Sequence, residues 1–66
     1  MNQESIFKTL YEGYKVFLLN KEQTAKELGV SKATLDRFRK DGSIESKTVG
    51  GQIMFKLDEV ARYLAS

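Results

Sequence analysis

The sequence predicts a small α+β fold, and three features indicate it. Two short helical segments, 21–28 and 31–40, are separated only by a Gly-Val-Ser turn. After them, a Gly-Gly pair divides two short segments of the kind that form a β-hairpin. A further helical segment stands at each end of the chain. Because the chain has 66 residues, we expect one domain with a thin core, covering 1–66.

The composition argues against several classes of protein. The sequence contains neither Cys nor His, so it predicts no disulfide and no zinc site. No apolar run approaches the roughly 18 residues of a membrane span, and no signal-peptide pattern opens the chain. We therefore expect a cytoplasmic protein without a membrane partner. Because neither a phosphate-binding Gly-rich loop nor a carboxylate pair is visible, we expect no enzymatic activity and no cofactor.

The first segment, 2–14, is predicted to be an amphipathic helix. Its apolar residues have the spacing of one helical stripe: Ile6, Phe7, Leu10, Tyr11 and Tyr14. Asn2 can cap the N-terminus, and Gly13 weakens the last turn. The sequence leaves two roles open for this helix. It either lengthens the core or offers a surface to a second copy or another partner.

The middle of the chain predicts a helix-turn-helix motif over 21–41. It is preceded by the apolar segment 16–19, whose periodicity allows a brief strand or a buried helical turn. Asn20 can cap the first helix, and Gly29 is placed to end it. Ser31 can cap the second helix. Two short helices joined in this way, with Gly in the turn, are typical of the motif.

The last third of the chain predicts a hairpin over 44–56 and a helix over 58–65. The first strand of the hairpin alternates only weakly, whereas the second is a clear strand candidate. Gly50 and Gly51 supply the positive φ angles of a tight turn between them. The inner stripe of the last helix is expected to contain Val60, Ala61 and Leu64.

The second helix of the motif is locally basic. Between residues 31 and 40, four basic side chains and one acidic side chain give a charge of +3, which exceeds the +2 of the whole chain. The rest of the molecule is therefore close to neutral, and the positive field is local. A charged helix face of this kind is typical of a helix that binds DNA, but also of a helix that is only solvated.

Helical periodicity divides the side chains of this helix between two faces. The inner face is expected to hold Ser31, Leu35 and Phe38. The outer face, with Lys32 on its flank, is expected to hold Ala33, Asp36, Arg37 and Lys40. Arg39 lies nearer the core, so its stem is expected to pack while its head reaches outward.

Three outer positions suggest specific roles. Ala33 is small enough to let the helix backbone approach DNA closely. Lys32 and Arg37 are long enough to reach phosphates or base edges, and Arg pairs bidentately with guanine. Asp36 has three open roles. It could accept a hydrogen bond from a cytosine amino group, pair with an Arg, or repel phosphates.

From residue 18 to residue 64, the ordered set of features resembles the excisionase-type, MerR-like winged helix-turn-helix DNA-binding domain. The set comprises a strand ending in Leu-Leu, a helix closing in Glu-Leu-Gly-Val, a Ser-capped helix ending in Asp-Gly, a Val-Gly-Gly turn, and a closing helix with Tyr-Leu. The resemblance implies a small winged helix-turn-helix with an extra N-terminal helix. In such a fold the helix 31–40 enters the major groove, and the hairpin 44–56 is the wing.

The resemblance also implies which residues meet DNA. Together with the charges of the outer helix face, the candidate DNA-binding residues are Ser31, Lys32, Ala33, Thr34, Asp36, Arg37, Arg39, Lys40, Lys47, Gly50, Gly51 and Gln52. The family often has Arg where Gln52 stands, which implies weaker binding by the wing. An aromatic or polar residue is common at the position of Asp36, so the resemblance does not define the base preference there.

Members of this family act as excisionases of phages or mobile elements in DNA recombination, or in transcription regulation. The implied partners are double-stranded DNA, an integrase or recombinase, and further copies in a homodimer or a cooperative array on DNA. A protein of this kind is associated with the nucleoid. The alternative is a winged-helix protein–protein interaction module that does not bind DNA and uses the stripe of Ile6, Phe7 and Leu10. The low net charge keeps this alternative open.

Overall fold

The structure, a computed structural model, describes residues 2–66. Within this range the chain forms four helices and a three-stranded antiparallel sheet, which confirms the predicted α+β class and is compatible with a winged helix-turn-helix. In chain order the elements are α1 (Gln3–Tyr14), β1 (Leu18–Asn20), α2 (Lys21–Leu28), α3 (Lys32–Lys40), β2 (Lys47–Val49), β3 (Gln52–Lys56) and α4 (Leu57–Ala65).

Side-chain caps determine where the first three helices begin. Asn2 accepts a hydrogen bond from a first-turn amide of α1. At α2 the cap is reciprocal. Asn20 Oδ1 accepts from Gln23 N at 2.7 Å, and Gln23 Oε1 accepts from Asn20 N at 3.0 Å. Ser31 Oγ accepts from Thr34 N at 3.1 Å at the start of α3. All three caps are at the predicted residues.

Glycines in the left-handed region form the two tight turns of the motif and the wing. Gly29 ends α2 with a φ of 71°, and its N–H contacts carbonyls of the last turn. Gly50 and Gly51 have φ angles of 58° and 82°, which are the two positive values of a type I′ hairpin turn. Both predicted turns are therefore present.

The sheet has the order β1-β3-β2, so β3 is its central strand. Leu19 lies opposite Phe55, and Thr48 lies opposite Ile53. The inner face of the sheet packs on the helices to form the core. The fully or nearly fully buried apolar residues are Leu10, Leu19, Ala25, Leu35, Ile44, Phe55, Leu57, Val60 and Ala61.

The N-terminal helix α1 is an integral part of this core. It packs along α4, and Leu10 is buried between them. At the other end of α1, the Tyr14 hydroxyl donates a hydrogen bond to Glu27 Oε2 of α2. This hydrogen bond, together with burial, raises the pKa of Tyr14 to about 12. The role of α1 in lengthening the core is thus visible directly.

Two predicted strands begin later than expected. β1 starts at Leu18, and both Val16 and Phe17 lie outside it with exposed side chains. In the hairpin, β2 covers only Lys47–Val49, whereas the sequence predicted a strand from 44. Ile44 is buried at 1% exposure, because the chain leaving α3 turns inward at this point.

Helix faces also differ from expectation at two positions, those of Leu64 and Ser31. Leu64 is 37% exposed and does not belong to the inner stripe of α4. The helix begins at Leu57, which is buried with Val60 and Ala61, whereas Leu64 in the last turn lines an open groove beside Ile6 and Leu10 of α1. Phe38 lies on the inner face as predicted, although it is only half-buried: it packs against the core and stacks on Tyr63 of α4. Ser31 was expected to face inward but is exposed, since it stands at the cap before the first turn of α3.

Candidate nucleic-acid interface

The outer face of α3 is exposed along its whole length. Leu35 is fully buried on the opposite side, which sets the orientation of the helix. The exposed side chains of α3 are those of Lys32, Ala33, Arg37 and Lys40. The backbone is accessible at Ala33, where only a methyl group stands between it and solvent. This face has the small residue and the long cations that the sequence predicted for it.

Ion pairs separate the cations that are engaged within the protein from those that are not. Within residues 2–66, the paired cations are Lys8, Lys15, Lys21, Arg39 and Arg62. No carboxylate lies within ion-pair distance of the remaining ones: Lys26, Lys32, Arg37, Lys40, Lys47 and Lys56. On α3, three of the four basic residues are therefore available to an external anion.

Asp36 and Arg39 form a bridge between the two helices of the motif. Asp36 Oδ1 accepts from Lys21 Nζ of α2 at 2.8 Å and lies 3.4 Å from Arg39 Nη2. The hydrogen bond from Lys21 holds the pKa of Asp36 below its ordinary value, and Arg39 adds to the effect. Of the three roles left open for Asp36, the structure shows the pairing with Arg.

The guanidinium of Arg39 does not reach outward as expected. Its side chain is 26% exposed, its Nη2 is turned back toward Asp36, and its Nε is buried without a hydrogen-bond partner. The reason is the i, i+3 spacing of the two residues on α3, which brings the carboxylate within reach of the guanidinium. Neither side chain is free on the outer face.

The hydroxyl groups at the start of α3 are engaged in the cap. Ser31 Oγ accepts the Thr34 amide and lies 3.1 Å from Thr34 Oγ1, to which it donates. The two residues therefore fix the N-terminus of α3. Any contact with DNA through Ser31 would share a hydroxyl that already has two partners.

The wing tip and the N-terminus of α3 line one shallow groove. The residues that line it are Asn20, Lys21, Glu22, Lys32, Gly51, Gln52 and Ile53. The fold thus brings together three of the predicted candidates, Lys32, Gly51 and Gln52, from segments far apart in the chain. Asn20 and Lys21 also line this groove and were not among the predicted site residues. Their place at the start of α2 was predicted from the Asn cap.

Lys47 lies elsewhere on the hairpin. It stands at the base of the wing, where it lines two depressions together with Lys56, and it does not line the tip groove. The predicted site residues therefore fall into three groups. The first lies on the outer face of α3 and at the wing tip, the second is the bridge formed by Asp36 and Arg39, and the third is Lys47 at the base of the wing. The expected contact between Lys47 and a phosphate stays a prediction.

A hydrogen-bonded clamp fixes the segment that leads from α3 to the wing. Arg62 Nη2 donates to Ser43 O at 3.0 Å, and Glu59 Oε2 accepts from Glu45 N at 2.8 Å. The two α4 side chains are paired, with Arg62 Nε 2.7 Å from Glu59 Oε1. This pairing holds the pKa of Glu59 below its ordinary value. The clamp was not predicted, although a Glu and an Arg three residues apart in a helix are the sequence signal for such a pair.

Two further properties bear on the function. Over the part of the chain that the structure describes, no group of acidic side chains is arranged to hold a metal ion. None of the four helices is long and apolar enough to cross a membrane.

Comparison with known protein families identifies the family of this chain. The sequence profile of a family described as "Helix-turn-helix domain" matches residues 18–66. The match includes the sheet, the two helices of the motif and α4, and it leaves out α1. Neither the curated proteins nor the solved structures contain a match.

Proposed function

Because this chain belongs to the helix-turn-helix domain family, we propose that it is a small sequence-specific double-stranded DNA-binding protein that acts as an excisionase-like architectural factor or a transcription regulator. In this proposal, α3 enters the major groove and the wing tip follows the neighbouring backbone or minor groove. The protein has no catalytic role and works where the DNA is, at the nucleoid.

The observation that carries the proposal is the set of free cations on the exposed face of α3. Within residues 2–66, Lys32, Arg37 and Lys40 form no ion pair, and they share the exposed face of α3 with the small residue Ala33. Phosphates are the anions that a helix in the major groove meets, and unpaired cations can contact them without first giving up an internal partner. We assign Arg37 to base reading, because Arg offers two parallel donors to guanine.

The wing tip is the second part of the proposed interface. Gly50 and Gly51 present only backbone, so the chain there can lie close to a sugar-phosphate backbone. Gln52 adds an amide side chain beside Lys32 in the shared groove. An amide contributes less to phosphate binding than a cation would, which makes α3 the dominant source of affinity.

The alternative of an interaction module without DNA binding relied on the apolar stripe of α1. Leu10 is buried in the core, and Ile6 and Phe7 pack partly against it. Most of this stripe is therefore used in holding α1 to α4. That observation favours DNA as the partner of the motif.

Selection of bound sequences from a random duplex pool tests the proposal. We expect the protein to enrich a defined site, and the double variant Arg37→Ala with Lys40→Ala to lose that enrichment. The matched control is Lys8→Ala with Lys15→Ala, which removes the same charge from cations that are paired on α1. Absence of enrichment by the parent protein, or equal losses in the two double variants, would contradict the proposal.

A further inference from the structure

An apolar groove at the base of the wing lies apart from the outer face of α3 and from the wing tip, although Lys47, a candidate DNA contact, stands at its rim. It is lined by Phe7, Phe17, Leu18, Lys47, Lys56, Leu57 and Asp58. No residue of α2, α3 or the wing tip belongs to it. Two of its members, Phe7 and Phe17, precede the segment that matches the helix-turn-helix family, so the groove includes features particular to this chain.

Phe17 is exposed but held in place. Its side chain is 64% exposed, the largest exposure among the large apolar residues of the described chain. Its ring stacks on Tyr11 with the centroids 5.0 Å apart, and its carbonyl accepts a hydrogen bond from Leu57 N at 2.8 Å. An aromatic side chain fixed in this way loses little conformational entropy when a partner covers it.

The charges around the groove favour an acidic occupant. Lys47 and Lys56 stand at the rim, and neither has an ion pair within residues 2–66. The groove itself holds one carboxylate, that of Asp58. On the other side of the two lysines stand Glu45 and Glu59, and Glu59 is already engaged by Arg62.

We propose that this groove, formed by Phe7, Phe17, Leu18 and Leu57 with Lys47 and Lys56 at its rim, binds a short acidic segment of a partner protein. The segment inserts one aliphatic or aromatic side chain beside Phe17, and its flanking carboxylates meet the two lysines. DNA fits less well, because a regular duplex has no apolar side chain to insert into a groove whose floor is formed by aromatic and aliphatic residues. The interaction is independent of DNA reading by α3.

Panning the intact protein against a displayed library of random 12-residue peptides tests the proposal. We expect selected peptides to carry an apolar residue flanked by Asp or Glu. In a binding assay with the best selected peptide, Phe17→Ser and Lys56→Glu should each weaken binding by about tenfold or more. Lys56 is used instead of Lys47, because Lys47 is also a candidate for DNA contact.

Matched controls are available for both substitutions. Leu64→Ser removes an exposed apolar side chain on another part of the surface, and Lys26→Glu reverses an unpaired, exposed lysine on α2. Both should leave the affinity for the peptide unchanged. Melting curves of all four variants show whether each one is folded at the assay temperature, and Phe17→Ala replaces Phe17→Ser if the latter is not.

Several outcomes would overturn the proposal. The library could yield no binder, or only binders without carboxylates. The affinity for the selected peptide could also be unchanged in Phe17→Ser and Lys56→Glu. Light scattering that finds a dimer dissociated by Phe17→Ser would identify a second copy as the occupant. A loss of duplex affinity in Phe17→Ser would assign the groove to DNA. The peptide and light-scattering outcomes do not depend on DNA binding by α3, and only the duplex measurement requires the parent protein to bind DNA.

Discussion

At the scale of single residues, internal hydrogen bonds decide which polar groups of α3 remain available. The helix carries five charged side chains, but Asp36 and Arg39 are engaged in a bridge to Lys21. Paired charges are poor contacts for DNA, because an internal partner must first be given up. The charge available on the outer face is therefore set by Lys32, Arg37 and Lys40.

A comparison of Arg37→Ala with Lys47→Ala separates base reading from phosphate contact. Arg37→Ala should lose about 1–3 kcal/mol of affinity for the selected site and relax the sequence preference. Lys47→Ala should weaken the selected site and a scrambled duplex equally, because a phosphate contact carries no sequence information. Titrations of both variants on both duplexes at one salt concentration measure this. Equal loss on both duplexes for Arg37→Ala would make Arg37 a phosphate contact instead.

The bridge between α2 and α3 gives a second prediction at this scale. Asp36→Asn removes the carboxylate that holds Lys21 and Arg39, so the melting temperature should fall. Asp58→Asn is the matched control, because that carboxylate has no ion pair in the described chain and its loss should change the melting temperature little. The sequence selected by Asp36→Asn should be that of the parent. A changed preferred base would instead indicate that Asp36 contacts a cytosine amino group.

At the scale of elements, the position of the wing relative to α3 depends on α4. The segment between α3 and β2 has no regular structure, but it is fixed at both faces. Ile44 anchors it in the core, and Glu59 and Arg62 hold its backbone from outside. A helix that belongs to neither the motif nor the wing therefore defines the geometry between them.

The clamp predicts a specific dependence of stability on pH. Because the pKa of Glu59 is lower in the folded protein than its ordinary value of 4.5 in the unfolded chain, its contribution to stability is complete above that ordinary value. It is lost as the pH falls through the folded value. The melting temperature of the parent should therefore fall between about pH 5 and pH 3. Glu59→Gln should have a lower melting temperature than the parent near neutral pH, and its melting temperature should fall less over the same pH range.

The difference between the melting temperatures of the parent and of Glu59→Gln, measured at each pH, isolates the contribution of Glu59. Asp36 and Asp41 also have pKa values below the ordinary range, because they accept hydrogen bonds from Lys21 and Ser43 respectively, so both proteins retain part of the acid sensitivity. Parallel curves for the parent and Glu59→Gln would show that the carboxylate of Glu59 is not coupled to folding.

At the scale of the whole molecule, a small net charge is compatible with a local basic surface. The chain carries +2 overall, and within residues 2–66 five of its cations form ion pairs with four carboxylates. The free cations of the candidate interface are few, so the electrostatic part of DNA affinity should be modest. Long-range attraction comes from one face and not from the molecule as a whole.

This distribution predicts the salt dependence of DNA binding. If Lys32, Arg37, Lys40 and Lys47 each neutralise one phosphate, log K should fall with log salt at a slope of about −4. Arg37→Ala should reduce that slope by about one. Lys8→Ala, which removes a paired cation on α1, should leave it unchanged. Fluorescence anisotropy at several salt concentrations gives all three slopes, and a slope near zero for the parent would argue against binding through these cations.

The local features of this protein were predictable from its sequence. The three helix caps, the left-handed Gly29 and the Gly-Gly turn depend on residues only a few positions apart, and all are where the sequence predicted them. The outward orientation of Arg37 followed from helical periodicity in the same way, because Leu35 defines the buried face. The family match over 18–66 agrees with the order of these features.

Only the tertiary structure decided which distant residues meet. Lys21 pairs with Asp36 because α2 and α3 are packed together, and Ile44 is buried because α4 holds the chain next to it. Periodicity along one element cannot show which side chain of another element lies opposite. Pairing and burial between elements depend on packing, and packing withdraws Asp36 and Arg39 from the outer face while it leaves Phe17 exposed at the base of the wing.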